Sequence, residues 1–185
     1  MHFGDTDRKG FGRKTIIVLA VALVFAVLSV YTIYDINGHS FDLTNREVRL
    51  IVTDSMDGES RPYDIPTIPD DSLVMVRFLS DDEKMTLKEG DVIQFWDHGI
   101  LNHHRVIGVD ESYVITHGDN VEKGVNEYVK YSDIRGEVVG VNHPAGEVFA
   151  FVKAYYPVII AFIAMVFIGS LLVDEIRREQ KEENL

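Results

Sequence analysis

Residues 16–34 read IIVLAVALVFAVLSVYTIY and contain no charged side chain in 19 consecutive positions. A helix rises about 1.5 Å per residue, so a helix of this length nearly matches a hydrocarbon core of about 30 Å. A second run, AYYPVIIAFIAMVFIGSLLV, occupies residues 154–173, with Pro157 in its first turn, where a missing N–H costs little. We therefore predict two transmembrane helices, at residues 15–35 and 154–173.

A buried core helix or a cleaved signal sequence would be the other interpretations of the first run. The run is longer than the apolar part of a signal sequence, which is usually about 7–15 residues. The residues near its end, Tyr31, Ile33 and Tyr34, offer no small-residue cleavage site. An uncleaved membrane anchor is therefore favoured.

Basic residues flank the two runs on their outer sides. Arg8, Lys9, Arg13 and Lys14 precede the first run, and Arg177, Arg178 and Lys181 follow the second. Because Lys and Arg accumulate on the cytoplasmic side of membrane proteins, both termini are predicted to be cytoplasmic. This assigns cytoplasmic tails to residues 1–14 and 174–185, and an outward-facing domain to residues 36–153.

The overall composition excludes several classes of function. A net charge of −12 argues against nucleic acid as a partner, because such proteins need a basic surface for the phosphate backbone. The chain has no cysteine, which excludes disulfides, thiolate metal sites and a cysteine nucleophile. A covalent mechanism would have to use a hydroxyl, an amine or a carboxylate.

The outward-facing segment contains six short stretches that are typical of β-strands and are bounded by turn residues. They are residues 47–52, 72–78, 91–96, 105–109, 112–116 and 136–141. No long amphipathic helix competes with them. We predict a mainly β fold, in which an antiparallel β domain is flanked by two transmembrane helices.

Ser55 is the best-placed candidate nucleophile in this domain. It follows the strand-like run Leu50-Ile51-Val52, and the turn-prone pair Asp57-Gly58 comes just after it. This pattern would present the Ser55 hydroxyl at the end of a rigid element, which is where catalytic side chains are often found.

His104 and Asp119 could complete a catalytic group with such a serine. His104 immediately precedes the predicted strand at 105–109, and an imidazole can accept a proton near neutral pH. Asp119, in the turn Gly118-Asp119-Asn120, could hold the other ring nitrogen and fix the tautomer. The further histidines His98, His103 and His117 show no metal-ligand spacing, so no metal site is predicted.

Six sequence blocks in this order resemble the type I signal peptidases, in their archaeal and endoplasmic reticulum branch. The blocks are Thr53-Asp54-Ser55-Met56, Asp70-Asp71-Ser72-Leu73-Val74, Gly90-Asp91-Val92-Ile93-Gln94-Phe95, His104-Arg105-Val106-Ile107, Thr116-His117-Gly118-Asp119-Asn120 and Ile134-Arg135-Gly136-Glu137-Val138-Val139-Gly140. The resemblance covers residues 48–141 and is compatible with both apolar runs. It implies a signal-peptidase-like antiparallel β domain on the outer or lumenal face of the cell membrane or the endoplasmic reticulum membrane.

The resemblance implies a serine endopeptidase that removes signal peptides from secretory preproteins after small residues, without a cofactor. Ser55 would be the nucleophile, and His104 occupies the position where bacterial relatives have a lysine base. Thr53 and the Ser55 N–H would form the oxyanion hole, and Asp119 would be the acid of the triad. Implied partners are the signal peptides, the lipid bilayer and the secretion translocon.

The sequence departs from the family pattern around the acid. Val121 follows Gly-Asp-Asn in place of a second asparagine, and Val125 and Asn126 stand where the family has a further aspartate. Weaker candidates for the acid are Glu122, Asn126 and Asp133, and a Ser-His dyad oriented by a backbone carbonyl or an asparagine is also possible. Two rival functions are a non-catalytic membrane-tethered β module and a Ser/Lys peptidase with Lys84, Lys88 or Lys123 as base.

Overall fold

The computed structural model describes residues 13–36 and 40–184, so that residues 1–12 of the predicted N-terminal tail, with Arg8 and Lys9, lie outside the described part. The elements follow in the order α1 (Arg13–Ile36), β1 (Ser40–Leu43), β2 (Arg46–Leu50), β3 (Leu73–Phe78), α2 (Asp81–Lys84), β4 (Val92–Asp97), β5 (Ile100–Val109), β6 (Tyr113–His117), β7 (Glu127–Lys130), a short 3-10 turn (Tyr131–Asp133), β8 (Ile134–Asn142) and α3 (His143–Glu183).

The chain divides into two compact units. One consists of α1 up to Thr32 and of α3 from Val152 onward, and the other of residues 33–151. Both long helices are long and apolar enough to cross a membrane, and almost none of their apolar windows is buried. A helix that is apolar all round yet not buried in protein is typical of a membrane span and not of a soluble core.

α3 begins eleven residues before the predicted start of the second span. Residues 143–153, which we predicted as part of the β domain, are therefore helical. Pro157 lies in the interior of this helix and not in its first turn, so that prediction was wrong. The apolar run marked the span, but the helix also includes residues 143–153, which contain His143, Glu147 and Lys153 and lie outside the uncharged run.

The second unit is built on one antiparallel sheet of eight strands, in the order β1-β2-β3-β8-β4-β5-β6-β7. The antiparallel β prediction holds for this unit, although helices contribute more of the described residues than strands do. All six predicted strands are present, with ends shifted by a few residues. The four-residue strands β1 and β7 were not predicted, because runs of that length carry little periodic signal.

Two buried apolar clusters support the sheet. The first includes Ile93, Phe95, Val106 and Val129, and the second includes Ile51, Met56, Ile68 and Val74. Residues of β4 contribute to both, because successive side chains of a strand point to opposite faces. β4 and its neighbour β5 are therefore held firmly in the middle of the unit.

The β4–β5 hairpin places His104 differently from the prediction. His98 and Gly99 have φ values of 49° and 83° and form a two-residue turn that pairs Asp97 with Ile100. Positive φ at both central residues is the geometry that best suits a tight hairpin. β5 therefore begins at Ile100, and His104 lies inside the strand and not just before it.

Candidate active site

Ser55 lies in a tight turn after β2 and is held from two sides. The backbone N–H of Asp57 donates to the carbonyl of Asp54 at 2.9 Å and closes the turn. Asn120 donates its backbone N–H to the Ser55 carbonyl at 2.9 Å, and its side-chain amide to the Asp54 carbonyl at 3.1 Å. Met56, which is buried, anchors the turn in the core. The backbone of Ser55 is therefore fixed, while the residue itself remains half-buried.

His104 presents its two ring nitrogens to different partners. Its side chain is 12% exposed, and its ring centroid lies 5.9 Å from that of Phe95. Nδ1 lies 2.5 Å from Oε2 of Glu127. Nε2 lies on the side of Gly118, in the turn that also touches Ser55. One ring nitrogen is thus occupied by an acid, and the other borders the glycine that also lies beside the Ser55 carbonyl oxygen.

Gly118 lies beside both the backbone of Ser55 and the ring of His104. A Cβ atom at this position would lie 2.8 Å from the Ser55 carbonyl oxygen and 3.2 Å from Nε2 of His104. It would also lie 2.6 Å from Val121, so glycine alone permits this close approach. In the part of the chain that the structure describes, no side-chain hydrogen bond joins Ser55 to His104. Catalytic hydrogen bonds are often long without substrate and shorten when it binds.

Glu127 is the acid beside His104, and sequence analysis did not find it. Oε2 of Glu127 also accepts a hydrogen bond from the Thr116 hydroxyl at 3.0 Å. Thr116 and Glu127 are direct partners in the β6–β7 ladder, and Thr116 is fully buried. The only sequence signal was the short alternating run at 127–130, and the register that places Glu127 opposite Thr116 is known only from the structure.

The surroundings of Glu127 favour its charged form. Burial is the largest influence and by itself would raise its pKa. The hydrogen bond and positive charge of His104, the Thr116 hydroxyl and the charge of His117 together outweigh burial and lower the pKa of Glu127. A glutamate that stays ionised can hold Nδ1–H of a neutral imidazole and stabilise the imidazolium when it forms.

Asp119 does not contact His104, which corrects the prediction that it orients the ring. Both of its oxygens accept hydrogen bonds from Arg105, at 2.5–3.1 Å, and Nε of Arg61 lies 3.0 Å from Oδ1. The side chains of Asp119 and Arg105 are 2% and 1% exposed. His104 and Arg105 are neighbours in β5 and so point to opposite faces, and the acid that pairs with Arg105 is therefore turned away from His104.

The other candidates for the acid do not reach the ring either. Among the described residues, no hydrogen bond joins Glu122, Asn126 or Asp133 to His104. The backbone N–H of Val125 donates to the Glu122 carbonyl at 3.3 Å, within the loop between β6 and β7. The acid beside His104 therefore lies in β7 and not in this loop, where the resemblance had pointed.

A cleft of about 200 Å³ lies beside Ser55. One wall is formed by the chain from Arg49 to Thr53, with Ser55 and Met56, and the other by residues 100–103 of β5. Thr53 is exposed in this cleft, two residues before Ser55. β5 pairs with β4 from Ile100, but with β6 only from Arg105 onward, so the other edge of residues 100–104 is not covered by β6.

The histidines outside the candidate pair have other partners. Nδ1 of His117 lies 2.9 Å from the carbonyl oxygen of Val125, and Nε2 of His103 lies 3.0 Å from the Gln94 amide. His98 lies beside Asp97 at the exposed hairpin tip. Within residues 13–36 and 40–184, no group of three possible ligand side chains is arranged to hold a metal ion.

A second serine and histidine pair occurs in the same unit. The hydroxyl of Ser72 lies 3.3 Å from Nδ1 of His143, and Nε2 of His143 lies 3.6 Å from Glu147. Ser72 is fully buried, however, so no peptide could reach its hydroxyl. Accessibility therefore separates this structural pair from Ser55 and His104.

Scans of the chain against protein-family models, curated proteins and solved structures find no significant match.

Proposed function

We propose that this chain is a membrane-anchored serine endopeptidase that removes signal peptides from secretory preproteins after small residues. The observation that carries the proposal is the arrangement around His104, whose Nδ1 is held by Glu127 while its Nε2 borders the same glycine as Ser55. This is the order of groups that activates a serine hydroxyl: a base beside the nucleophile, itself oriented by an acid.

In the proposed reaction, Nε2 of His104 takes the proton of the Ser55 hydroxyl as its oxygen attacks the scissile carbonyl. Glu127 keeps the other proton on Nδ1 and stabilises the imidazolium that forms. The Thr53 hydroxyl and the Ser55 N–H would bind the developing oxyanion. His104 then gives its proton to the leaving amine, and water, activated in the same way, releases the acyl group and restores Ser55.

The cleft beside Ser55 suits an extended peptide. The uncovered edge of residues 100–104 offers backbone N–H and carbonyl groups, to which a substrate strand could add. Ile51, Met56 and Ile68, which line the cleft near the nucleophile, are apolar and buried. A small cleft that is apolar beside the nucleophile favours small side chains next to the scissile bond.

The two apolar helices suit a substrate that is itself held in a membrane. A signal sequence remains in the bilayer, so its cleavage site emerges at the membrane surface. A protease anchored to the same bilayer would meet that site at a raised effective concentration. The basic flanks of both spans support an outward-facing catalytic unit with cytoplasmic termini.

Contacts of the described residues favour a Ser/His peptidase over the two rival interpretations. A non-catalytic β module was suggested by the missing family aspartate, but Glu127 supplies an acid in contact with His104. Of the lysines considered as alternative bases, Lys84 is paired with Asp81 and Lys88 with Asp91, and Lys123 is exposed in the loop between β6 and β7. His104 therefore remains the best candidate for the base.

The direct test is cleavage of a preprotein with an Ala-x-Ala site by the purified full-length chain in detergent. Replacing Ser55 or His104 by alanine should lower kcat by about 10⁴-fold or more, because either change removes the activated nucleophile. Ser72→Ala is the matched control, since it removes a hydroxyl that also lies beside an imidazole but is inaccessible, and it should retain activity.

Activity that survives Ser55→Ala would refute the assignment of the nucleophile. An unmodified chain that is folded but cleaves no preprotein of a varied set would favour the non-catalytic β module instead.

A further inference from the structure

His103 is a buried titratable residue that the proposed mechanism does not use. It precedes His104 in β5, so its side chain points to the opposite face of the strand. It lines the cleft that contains Ser55 and is 9% exposed. The two neighbouring histidines therefore lie in different surroundings. The ring of His104 contacts Glu127, and the ring of His103 forms part of the wall of the cleft.

The hydrogen bonds around Gln94 determine the tautomer of His103. The amide nitrogen of Gln94 lies 2.5 Å from Oε1 of Glu47, and the same nitrogen lies 3.0 Å from Nε2 of His103. A carboxylate accepts hydrogen bonds, so the NH₂ group of Gln94 must face Glu47. The second hydrogen of that NH₂ is donated to His103, and Nε2 of His103 therefore accepts. The proton of the neutral ring is consequently on Nδ1.

This arrangement is held in place by a buried polar network. Glu47 is fully buried and is approached by Nε of Arg49 at 3.2 Å and by Arg135 at 2.8 Å. The orientation of Gln94 leaves its own carbonyl oxygen buried without a partner among the described residues. Leaving a buried acceptor unpaired is costly. The hydrogen bonds to Glu47 and His103 nevertheless hold the Gln94 amide in this orientation.

The ring of His103 remains neutral throughout the physiological range. Burial, followed by the positive charges of Arg49, His104 and Arg135, lowers the pKa of His103 to about 3. A neutral imidazole with a fixed tautomer offers one N–H donor and no charge.

The direction of the side chain indicates what this donor would meet. In a β-strand, backbone hydrogen bonds lie in the plane of the sheet and side chains stand roughly perpendicular to it. A peptide that adds to the edge of residues 100–104 would therefore use its backbone in the plane of the strand. The His103 ring would meet the side chains of that peptide and not its carbonyl groups.

We propose that His103 is a specificity-determining residue whose Nδ1–H binds a hydrogen-bond acceptor, such as a hydroxyl, on a substrate side chain near the cleavage site. This inference rests on the proposed peptidase function and extends it. The cleft is apolar beside Ser55 and polar at His103, so it selects a polar side chain at one point of the peptide in addition to small residues at the cut. Asn102 and Arg49 also line this cleft.

The test uses six peptides of a common sequence: one with alanine at all five positions before the cut, and five in which one alanine is replaced by serine. For the wild type, serine should raise kcat/KM by about three- to tenfold at one position, or at two positions that share a face, because that is the range of a neutral hydrogen bond. His103→Leu should reduce this ratio to about one. His103→Asn, which keeps an N–H donor, should restore part of it.

His143→Leu is the matched control, because it removes a histidine outside the cleft, and it should keep the serine preference. A purely structural role for His103 would lower cleavage of the serine and alanine peptides by the same factor and leave their ratio unchanged. That outcome, or the absence of any serine preference in the wild type, would overturn the inference.

Failure of the proposed function can be separated from failure of this inference. If no peptide is cleaved, binding of the same labelled peptides to the Ser55→Ala chain is measured by fluorescence anisotropy. A serine preference that depends on His103 would uphold the inference without catalysis, and equal binding of all six peptides would refute it.

Discussion

Glu127 and Asp119 are two acids that contact neighbouring residues of β5, and we expect them to have different roles. Glu127 binds His104 in a partly exposed site, whereas Asp119 binds Arg105 in a buried one. The identity of the partner, and not the chemistry of the carboxylate, separates the proposed catalytic acid from the acid that we expect to be structural. The alternation of side chains along β5 determines which of the two roles each acid has.

Replacing these two acids should therefore give different phenotypes. Glu127→Gln should lower kcat by about 10²–10⁴-fold, because an amide no longer fixes the imidazole tautomer, with little change in thermal stability. Asp119→Asn should lower the free energy of unfolding by about 3–5 kcal/mol, because it leaves Arg105 buried without its charge partner. Cleavage rates and thermal melts of both variants in detergent test this. The roles would be reversed if Asp119→Asn abolished cleavage by a protein that still melts normally.

His103 should also make the stability of the protein depend on pH. The pKa of His103 is about 3 in the folded protein, against 6.5 for the ordinary imidazole. The unfolded chain therefore binds a proton that the folded chain excludes. The contribution of neutral His103 to the free energy of unfolding is complete above about pH 6.5. It is lost as the pH falls toward 3, and the free energy of unfolding decreases by up to about 1.4 kcal/mol per pH unit.

Denaturant unfolding of the full chain between pH 7 and 4.5 measures this dependence, in a range above the titration of most carboxylates. The wild type should lose stability more steeply than His103→Leu over this interval. Equal slopes would show that His103 can become protonated in the folded protein.

The turn at Gly118 connects the end of β6 to the loop that lies beside Ser55. We expect Gly118→Ala to separate the Ser55 turn from the His104 ring, because its Cβ would meet a backbone oxygen at 2.8 Å. Cleavage should fall by about tenfold or more, while β6 and β7, which flank this loop, remain paired. Gly124→Ala in the same loop, where a Cβ would meet nothing within 4 Å although φ is 96°, is the comparison variant. Equal effects of the two changes would contradict a role for close approach at Gly118.

The strands show which elements could be predicted and why. β3, β4 and β8 are rich in β-branched and aromatic residues and lie between turn signals, and they were predicted to within a few residues. β7 is four residues long and lies at the edge of the sheet, so its pattern is no stronger than that of a loop. Because β7 contains Glu127, missing this strand also meant missing the acid.

For the whole molecule, the absence of cysteine allows a direct test of the proposed topology. A single cysteine can be introduced at exposed Glu111 in the β unit or at exposed Glu182 near the C-terminus. In intact cells, a membrane-impermeant maleimide should label Glu111→Cys at once and Glu182→Cys only after permeabilisation. We expect this difference because Lys and Arg accumulate on the cytoplasmic side of a membrane, so the basic flanks of both spans should keep the termini in the cytoplasm. Labelling of both variants in intact cells would exclude the proposed topology.

The sequence by itself determined the features that depend on local composition and on the order of short blocks. Hydrophobic length marked both long helices, turn residues bounded six strands, and block order singled out Ser55 and His104. Only the tertiary structure decided which acid meets His104, which histidine faces the cleft, and which serine is accessible. Those outcomes depend on strand register and on the face from which each side chain projects. A register pairs residues that are distant in the chain, as Thr116 with Glu127 or Gln94 with His103, and no local pattern records that pairing.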